Sequence, residues 1–308
     1  GKGHHDGHMM GRDANALLAN PMMQHSAAQK SALEGLRAKP ARVVVTKARP
    51  PAGTKNLELT AAQIAEVKLP DVGQTVSPRA GVEPGYAAIA KAHPGNVFIV
   101  SCDLDPSTKL GKAKTFLKKE NCWEVSIEEQ LATLLVNGAS MATDKPQLVV
   151  TSTFSAFYEG IAREGLEMWR YQRNLNGVNE GLNVTFHMSH VGSCTGRDHF
   201  SGWSLDWINL AIGYLPYLDR FYAPADARAA FVAICDMASR NGAHILGIPR
   251  DNLPILVDPA TKKALWSADS PWTDVNQLRA QPGAKKAILG FGATAFVAAE
   301  ASDKLAAE

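Results

Sequence analysis

The sequence predicts an α/β fold in which helices cover both faces of a doubly wound, mainly parallel sheet. Short β-branched runs alternate with helical patterns of about 10 to 15 residues, which is typical of right-handed β-α-β units. Of the 308 residues, 45% are apolar and 20% are charged, so the chain can bury a core and keep a polar surface. At about 150 residues per domain, this length suggests two domains, or one domain with extensions.

The predicted elements begin with a strand at residues 97–100, which lead into the polar segment 101–108. A continuous apolar run of this kind is typical of a strand that is buried on both faces. Further strands are predicted at residues 147–151, 182–186, 220–222 and 244–248, and helices at 127–141, 157–171 and 226–239. Asp226 is predicted to cap the last of these helices, which is a structural role. Because ligands of parallel sheets collect at the carboxyl ends of the strands, the polar segments that follow these strands form the candidate site.

The segment that precedes this alternation differs in composition. Residues 13–68 are rich in Ala, Lys, Pro and Gln, so we expect residues 1–68 to form a linker or extension with one or two short helices. The irregularly spaced histidines of residues 4–12 favour the remnant of a purification tag over a metal site. The chain lacks an initial Met, and both of its ends look cut.

The predicted domain covers residues 69–258 and is followed by a second linker at 259–285. Residues 286–290 then predict a strand, and residues 294–307 predict a helix. A lone strand and helix cannot bury both faces of a sheet. We therefore expect residues 286–308 to open another domain or to pack on a neighbour.

Charge, hydropathy and cysteine spacing exclude several classes of protein. The 32 Lys and Arg against 30 Asp and Glu leave a net charge of +2, too small a field to bind a nucleic-acid backbone. No charge-free apolar stretch approaches the roughly 20 residues that span a bilayer. The four cysteines are far apart and no leader precedes them, so we expect reduced thiols in a cytoplasmic protein.

Six short motifs occur in one order along the predicted domain. They are Ser77-Pro78-Arg79, Asp103-Leu104-x-Pro106-Ser107, Ser126-Ile127-Glu128-Glu129-Gln130, Thr153-Phe154-x-x-Phe157, Pro224-Ala225-Asp226 and Arg250-x-Asn252-Leu253-Pro254. In this order they resemble the pyrimidine-binding domain of transketolases, which are thiamine diphosphate-dependent enzymes. The segment from Ile288 to Thr294 resembles the first strand and helix of that family's third domain, and Gly1-Lys2-Gly3 resembles the closing strand of its first.

The resemblance does not extend to the family's first domain, which holds the diphosphate and Mg²⁺ through a Gly-Asp-Gly motif and a downstream Asn. Asp6-Gly7 lacks the preceding Gly and the strand. The resemblance therefore implies that the Mg²⁺ ligands lie on another polypeptide or on a missing part of this one. It also implies a homodimer or an α₂β₂ assembly, because the family's cofactor lies between the first domain of one subunit and the second domain of its neighbour.

Glu129 matches the glutamate that bonds to N1′ of the aminopyrimidine ring of thiamine diphosphate in the family. This role requires a protonated carboxyl group near neutral pH, and burial in a low-dielectric interface favours the neutral form of a carboxylic acid. The ordinary alternative is an exposed helical glutamate, as we expect for Glu128. The resemblance also implies cofactor binding by Asp103 and by Phe154 and Phe157, whose rings would sandwich the aminopyrimidine; core packing is the alternative for Phe157.

Arg79, Ser107 and Arg250 correspond to the residues that hold the phosphate of a sugar phosphate in transketolases. Arginine suits this role because its fork donates two parallel hydrogen bonds and stays charged, although a surface ion pair is the common alternative. The presence of all three favours a phosphorylated substrate over a plain 2-oxo acid.

The histidine-containing segments match the family less well. His187 or His190 is predicted to face the substrate as a proton shuttle, since imidazole transfers protons in either direction near neutral pH. Asp198 is predicted to contact a sugar hydroxyl, and His199 to replace a displaced histidine of the family. For each histidine, a structural role with a bond to the backbone is the alternative.

The resemblance thus implies part of a transketolase-like transferase that moves a two-carbon ketol unit between sugar phosphates. One alternative is another thiamine diphosphate enzyme, similar to 1-deoxyxylulose-phosphate synthase or to the E1 beta subunit of 2-oxo acid dehydrogenases. The altered histidine segments favour it. A further alternative is a non-catalytic subunit that stabilises or regulates a partner.

Overall fold

In a computed structural model of the chain, the described residues are 18–19, 25–38, 57–142, 147–175, 183–192, 207–215, 218–240 and 242–307. The chain divides into two units, Gly1–Ala48 and Arg49–Glu308. In the first unit, helix α1 spans Ala27–Ala38. The elements named below all belong to the second unit.

A parallel sheet lies at the centre of the second unit. Its strands are β2 Val97–Ser101, β3 Cys122–Glu124, β4 Leu148–Phe154, β5 Val184–Val191, β6 Arg220–Tyr222 and β7 His244–Pro249. These six strands lie side by side in the order β3-β2-β4-β5-β7-β6. The strands β1 (Thr75–Val76) and β8 (Leu253–Pro254) form a separate antiparallel pair. The five strands predicted here are confirmed, and β3 is an additional strand at the edge of the sheet.

Helices pack against both faces of this sheet. The described helices of this unit are α2 Ala61–Ala65, α3 Arg79–Ala92, α4 Asp105–Thr108, α5 Gly111–Lys114, α6 Glu129–Met141, α7 Ser155–Glu159, α8 Arg163–Leu175, α9 Trp207–Tyr214, α10 Ala227–Ser239 and α11 Ala295–Ala307. One buried cluster joins α6 to α9 with Phe186, and another joins α3 and α10 with Leu246. Apolar layers on both faces confirm the doubly wound α/β fold. Within the described ranges, no helix is both long and apolar enough to cross a membrane.

Asp226 stands before α10 and connects it to the segment after β8. One carboxylate oxygen, Oδ1, accepts a hydrogen bond from the Ala229 amide at 2.8 Å, which caps the helix. The other oxygen accepts from the Leu256 amide, also at 2.8 Å. Because Asp226 is fully buried, these bonds to the backbone replace the water that the carboxylate loses. Its predicted structural role as a helix cap is confirmed.

The structure differs from the predicted elements at two places. The helix predicted at residues 157–171 is divided into α7 and α8, because Gly160 ends α7 with a non-helical backbone of φ −112° and ψ −107°. The strand predicted at residues 286–290 is wrong, since these residues are exposed and pair with no strand among the described elements. The Phe291 ring instead packs 5.7 Å from the Phe221 ring of β6, so this segment contacts the sheet of its own unit.

Candidate functional site

Backbone strain is concentrated near the carboxyl ends of the strands. In the part of the chain that the structure describes, five residues other than glycine have a positive φ. Four of them lie near this edge, namely Asp103, Lys109, Ser126 and His190. A left-handed backbone costs free energy at a non-glycine residue and persists where the surrounding structure enforces it, often at binding sites. This observation, independent of any motif, points to the edge predicted to bind a ligand.

Glu129 begins α6 and is buried, with 1% of its surface exposed. Its Oε1 accepts a hydrogen bond from Oγ1 of Thr153 at 3.0 Å. Its Oε2 is buried and has no hydrogen-bond partner among the described residues. Glu128, one residue earlier, is exposed. The alternative of an ordinary solvated helical glutamate therefore describes Glu128 and does not describe Glu129.

The loop that leads into α6 is held by Glu124 at the end of β3. Its carboxylate accepts hydrogen bonds from the backbone amides of Asp103 at 2.6 Å and Ser126 at 3.2 Å, both of which have positive φ. Lys114 contacts the same carboxylate at 3.2 Å. These bonds join the turns after β2 and β3, and they determine where the first residue of α6 lies. Asp103 is itself exposed at this turn.

Cys102 lies directly after β2, is buried, and is close to Glu129. Burial raises the pKa of its thiol to about 12, with smaller contributions from nearby acidic groups. The thiol therefore stays neutral at physiological pH, where a nucleophilic cysteine would need to be a thiolate. Cys102 therefore has a packing role beside the site.

The aromatic residues predicted to sandwich a ring are stacked on other partners. The Phe154 ring is buried and stacks on the His190 ring, with centroids 4.1 Å apart and an angle of 19° between the planes. The Phe154 and Phe157 centroids are 5.9 Å apart. Inserting a third ring between two others needs about 7 Å, twice a carbon contact distance. A sandwich therefore does not fit this geometry, and the half-buried Phe157 presents the more accessible ring.

Basic groups converge a short distance along the same edge. Arg79 Nη1 lies 3.2 Å from the backbone oxygen of Ser107 and 3.4 Å from Nε2 of His190. Arg79 Nε donates to the Ser77 hydroxyl at 3.1 Å. Since a guanidinium can only donate, His190 Nε2 accepts, and a neutral imidazole then carries its proton on Nδ1. The structure thus brings Arg79, Ser107 and His190 together.

Arg250 follows β7 and approaches the same group. The pKa of Arg79 is lowered, first by burial and then by the like charge of Arg250. Two guanidinium groups that repel each other at one edge create a local positive potential that attracts anions. The three residues predicted to hold a phosphate therefore share one neighbourhood.

His187 precedes His190 by three residues along β5 and pairs with Ser152 of β4. It lies inside β5 with 0% exposure, and its ring is 5.8 Å from the ring of Tyr86 on α3. Burial lowers its pKa to about 3, so the imidazole is neutral, and neither ring nitrogen has a hydrogen-bond partner among the described residues. His190 is also buried, with 3% exposed, but its ring lies 3.4 Å from Arg79 Nη1 among the basic groups. We therefore retain His190 and omit His187; Asp198 and His199 lie outside the described residues.

Two contributors to the site were missed by sequence reasoning. In the sequence, Thr153 is identified only as part of a motif. A hydroxyl in an otherwise buried strand needs a hydrogen-bond partner, and this need could have indicated its role. Glu124 carried no local signal, because its role depends on β3 pairing with β2. No group of three or more His, Cys, Asp or Glu side chains that could bind a metal ion occurs within the described ranges.

Solved structures with similar folds include transketolases. A transketolase from Pichia stipitis, in complex with xylulose-5-phosphate, matches with a TM-score of 0.52 and 20% identity, over 66% of this chain and 30% of that one. The transketolase from Leishmania mexicana matches with a TM-score of 0.52 and 18% identity, over 65% and 29%. A split-gene transketolase, described as an inactive β4 tetramer, matches with a TM-score of 0.53 and 20% identity, over 76% and 69%.

No protein-family profile matches the sequence, and no curated protein matches it. At identities of 20% or less, the structural likeness establishes the fold, which is transketolase-like. The chain spans about 30% of the length of the first of these transketolases.

Proposed function

We propose that this chain is the pyrimidine-binding part of a thiamine diphosphate-dependent, transketolase-like enzyme. The observation that carries the proposal is the Glu129 carboxyl group, which is buried at the ligand-binding edge with Oε2 left without a hydrogen-bond partner among the described residues. A native fold rarely leaves a buried polar atom unpaired unless a ligand or water pairs with it. A motif order similar to that of transketolases and a transketolase-like fold support the same assignment.

The residues at the edge fit the aminopyrimidine of thiamine diphosphate. Glu129, when protonated, would donate a hydrogen bond from Oε2 to a ring nitrogen, and Phe157 would offer an accessible aromatic face. When bound, thiamine diphosphate supplies an electron sink for cleavage of the bond next to a carbonyl. The task of Glu129 is to hold a proton at one atom, and its buried position suits that task.

The basic group suits the phosphate of a sugar phosphate. Arg79 and Arg250 supply permanent positive charge, and Ser107 adds a hydroxyl from α4. His190, held by Arg79 at 3.4 Å and by stacking on Phe154, is positioned to exchange a proton with a substrate hydroxyl. We propose that the substrates are phosphorylated sugars, between which a two-carbon ketol unit is transferred.

We further propose that a separate chain completes the site. This chain matches 69% of a split-gene transketolase whose β4 tetramer is inactive. Beside Glu129, Ile127 is 72% exposed, and a groove of about 530 Å³ is lined by Trp123, Leu131 and Leu134. An apolar surface of this kind on a folded domain is typical of an interface. The proposed occupant is a chain with the diphosphate-binding domain, which also supplies the Mg²⁺ ligands.

The test is an activity assay on the complex that this chain forms when it is purified with its partner. With thiamine diphosphate and Mg²⁺ present, we expect two-carbon transfer between sugar phosphates, and roughly 10²–10⁴-fold less activity in Glu129→Gln. Glu128→Gln, which alters an exposed neighbour, is the matched control and should retain full activity. Turnover of pyruvate instead of ketose phosphates would assign the chain to another thiamine diphosphate enzyme.

A non-catalytic subunit is the second candidate, and the inactive state of the split-gene β4 tetramer is the observation that favours it. In that case Glu129→Gln would leave the activity of the assembly unchanged. A homodimer without a second chain, found by mass spectrometry and light scattering, would contradict the proposed partner.

A further inference from the structure

Thr153 lies in β4, one residue before its end, and is 1% exposed. Successive side chains of a strand point to opposite faces, so Thr153 points away from the face shared by Ser152 and Phe154. Its Oγ1 donates to Glu129 Oε1 at 3.0 Å, and both groups are buried. Two elements distant in sequence therefore meet through this one hydrogen bond.

The bond distinguishes the two oxygens of the carboxyl group. A protonated carboxyl group has one oxygen that carries hydrogen and one carbonyl oxygen that only accepts. With Thr153 as the donor, Oε1 is the accepting oxygen, and a proton on the carboxyl group would then lie on Oε2. Oε2 is the oxygen that has no hydrogen-bond partner among the described residues.

From this geometry we infer that Thr153 is a positioning residue, which holds Oε1 as the accepting oxygen of Glu129 and directs the acidic proton to Oε2. The inference rests on the proposed function, since the proton on Oε2 is the one offered to the aminopyrimidine. Without the hydroxyl, either oxygen can carry the proton, and the carboxyl group is free to turn away from the ligand.

Three substitutions separate this role from packing. Thr153→Val removes the hydroxyl and keeps the shape, whereas Thr153→Ser keeps the hydroxyl. The matched control is Thr133→Val on α6, because Thr133 Oγ1 is also buried but donates to the backbone oxygen of Glu129 at 3.0 Å and not to its carboxyl group. Thr153→Ala replaces Thr153→Val if the valine variant does not fold.

The first readout needs neither cofactor nor partner. Infrared spectroscopy of the purified full chain should show a carboxylic-acid carbonyl band that disappears in Glu129→Gln. Hydrogen bonding to a carbonyl lowers its stretching frequency, so the band should move to higher frequency in Thr153→Val, return in Thr153→Ser and stay in place in Thr133→Val. The same band in Thr153→Val and the wild type, or no acid band assignable to Glu129, would overturn the inference.

The second readout is calorimetric binding of thiamine diphosphate with Mg²⁺ to the complex. We expect about tenfold weaker binding in Thr153→Val, the effect of one hydrogen bond, with recovery in Thr153→Ser. If the wild-type complex does not bind the cofactor while the infrared shift is present, the proposed function fails and the role of Thr153 in orienting Glu129 stands. If the complex binds the cofactor and Thr153→Val binds equally well, the role of Thr153 fails and the proposed function stands.

Discussion

The two ends of the parallel sheet satisfy their polar groups in different ways. At the amino ends of β6 and β7, Asp219 accepts hydrogen bonds from Arg240 at 2.6 and 3.1 Å and lies 3.3 Å from Nε2 of the buried His244. At the carboxyl ends, Glu129 keeps one buried oxygen without a partner among the described residues, and Arg79 faces the like charge of Arg250.

This difference separates stability from function. The Asp219 network pairs opposite charges within the fold, so it needs no ligand to be stable. The carboxyl edge combines backbone strain with like-charge repulsion, which a bound anion would reduce, and an unpaired oxygen, with which a bound ring could pair. Departures from a locally satisfied structure are expected where a protein binds its ligand.

The largest effect is expected at the carboxyl edge. Arg79→Ala should raise KM for a phosphorylated sugar about a hundredfold, because charge-assisted hydrogen bonds to a phosphate are lost. KM for an unphosphorylated ketose should change much less, since no phosphate is involved. Steady-state kinetics of the complex measure both, with Arg279→Ala, which removes a surface ion pair to Asp303, as the control. Equal changes for the two substrates would contradict a phosphate site.

At the amino ends of the strands, a substitution should change the stability of the fold. Asp219→Asn leaves Arg240 without its carboxylate, and we expect a loss of about 2 kcal/mol in the free energy of unfolding, below the value for a fully buried pair because the group is partly exposed. Denaturant unfolding at pH 7 measures this loss. Activity of the folded complex should be unchanged. A fall in kcat with unchanged stability would reverse the contrast between the two ends.

The elements were predictable from sequence where local pattern decides them. The run of Val97–Val100 and the cap at Asp226 each carry their signal within a few residues, and the structure confirms both. The break at Gly160 was missed, because the helical pattern of residues 157–171 continues across it. Residues 286–290 have the pattern of a strand but no neighbouring strand to bond with, and sequence alone does not show that.

The candidate site could be predicted only in part from the sequence, because contacts between distant elements also determine it. Motifs pointed to Glu129, Arg79 and Arg250, yet the burial of Glu129 depends on contacts between strands and helices that are far apart along the chain. His187 and His190 are three residues apart and chemically alike. Only the structure shows that His187 packs beside Tyr86 of α3, while His190, with a φ of 60°, meets Arg79 and Phe154.

A further effect, which appears only at acidic pH, is expected from this enclosed histidine. Burial lowers the pKa of His187 to about 3, below the unfolded value of about 6.5, so the unfolded chain binds its proton more readily. Its contribution to stability is therefore complete above about pH 6.5 and is lost as the pH falls towards 3. As the pH falls between those values, the free energy of unfolding should decrease more steeply in the wild type than in His187→Leu. The difference in slope should be up to about 1.4 kcal/mol per pH unit.

Denaturant unfolding at a series of pH values measures this slope. His93→Leu, a substitution at a half-buried histidine that contacts the backbone of Glu58, is the control. Equal slopes in wild type and His187→Leu would show that His187 gains access to water in solution. The omission of His187 from the site would then need to be reversed.

The most direct test of the central claim is the exchange rate of the C2 proton of thiamine diphosphate bound to the complex, followed by NMR after transfer to deuterated water. If the buried carboxyl group of Glu129 activates the aminopyrimidine, Glu129→Gln should slow this exchange by roughly 10²–10⁴-fold while Glu128→Gln leaves it unchanged. Equal exchange rates in Glu129→Gln and the wild type, with the cofactor bound in both, would contradict the claim.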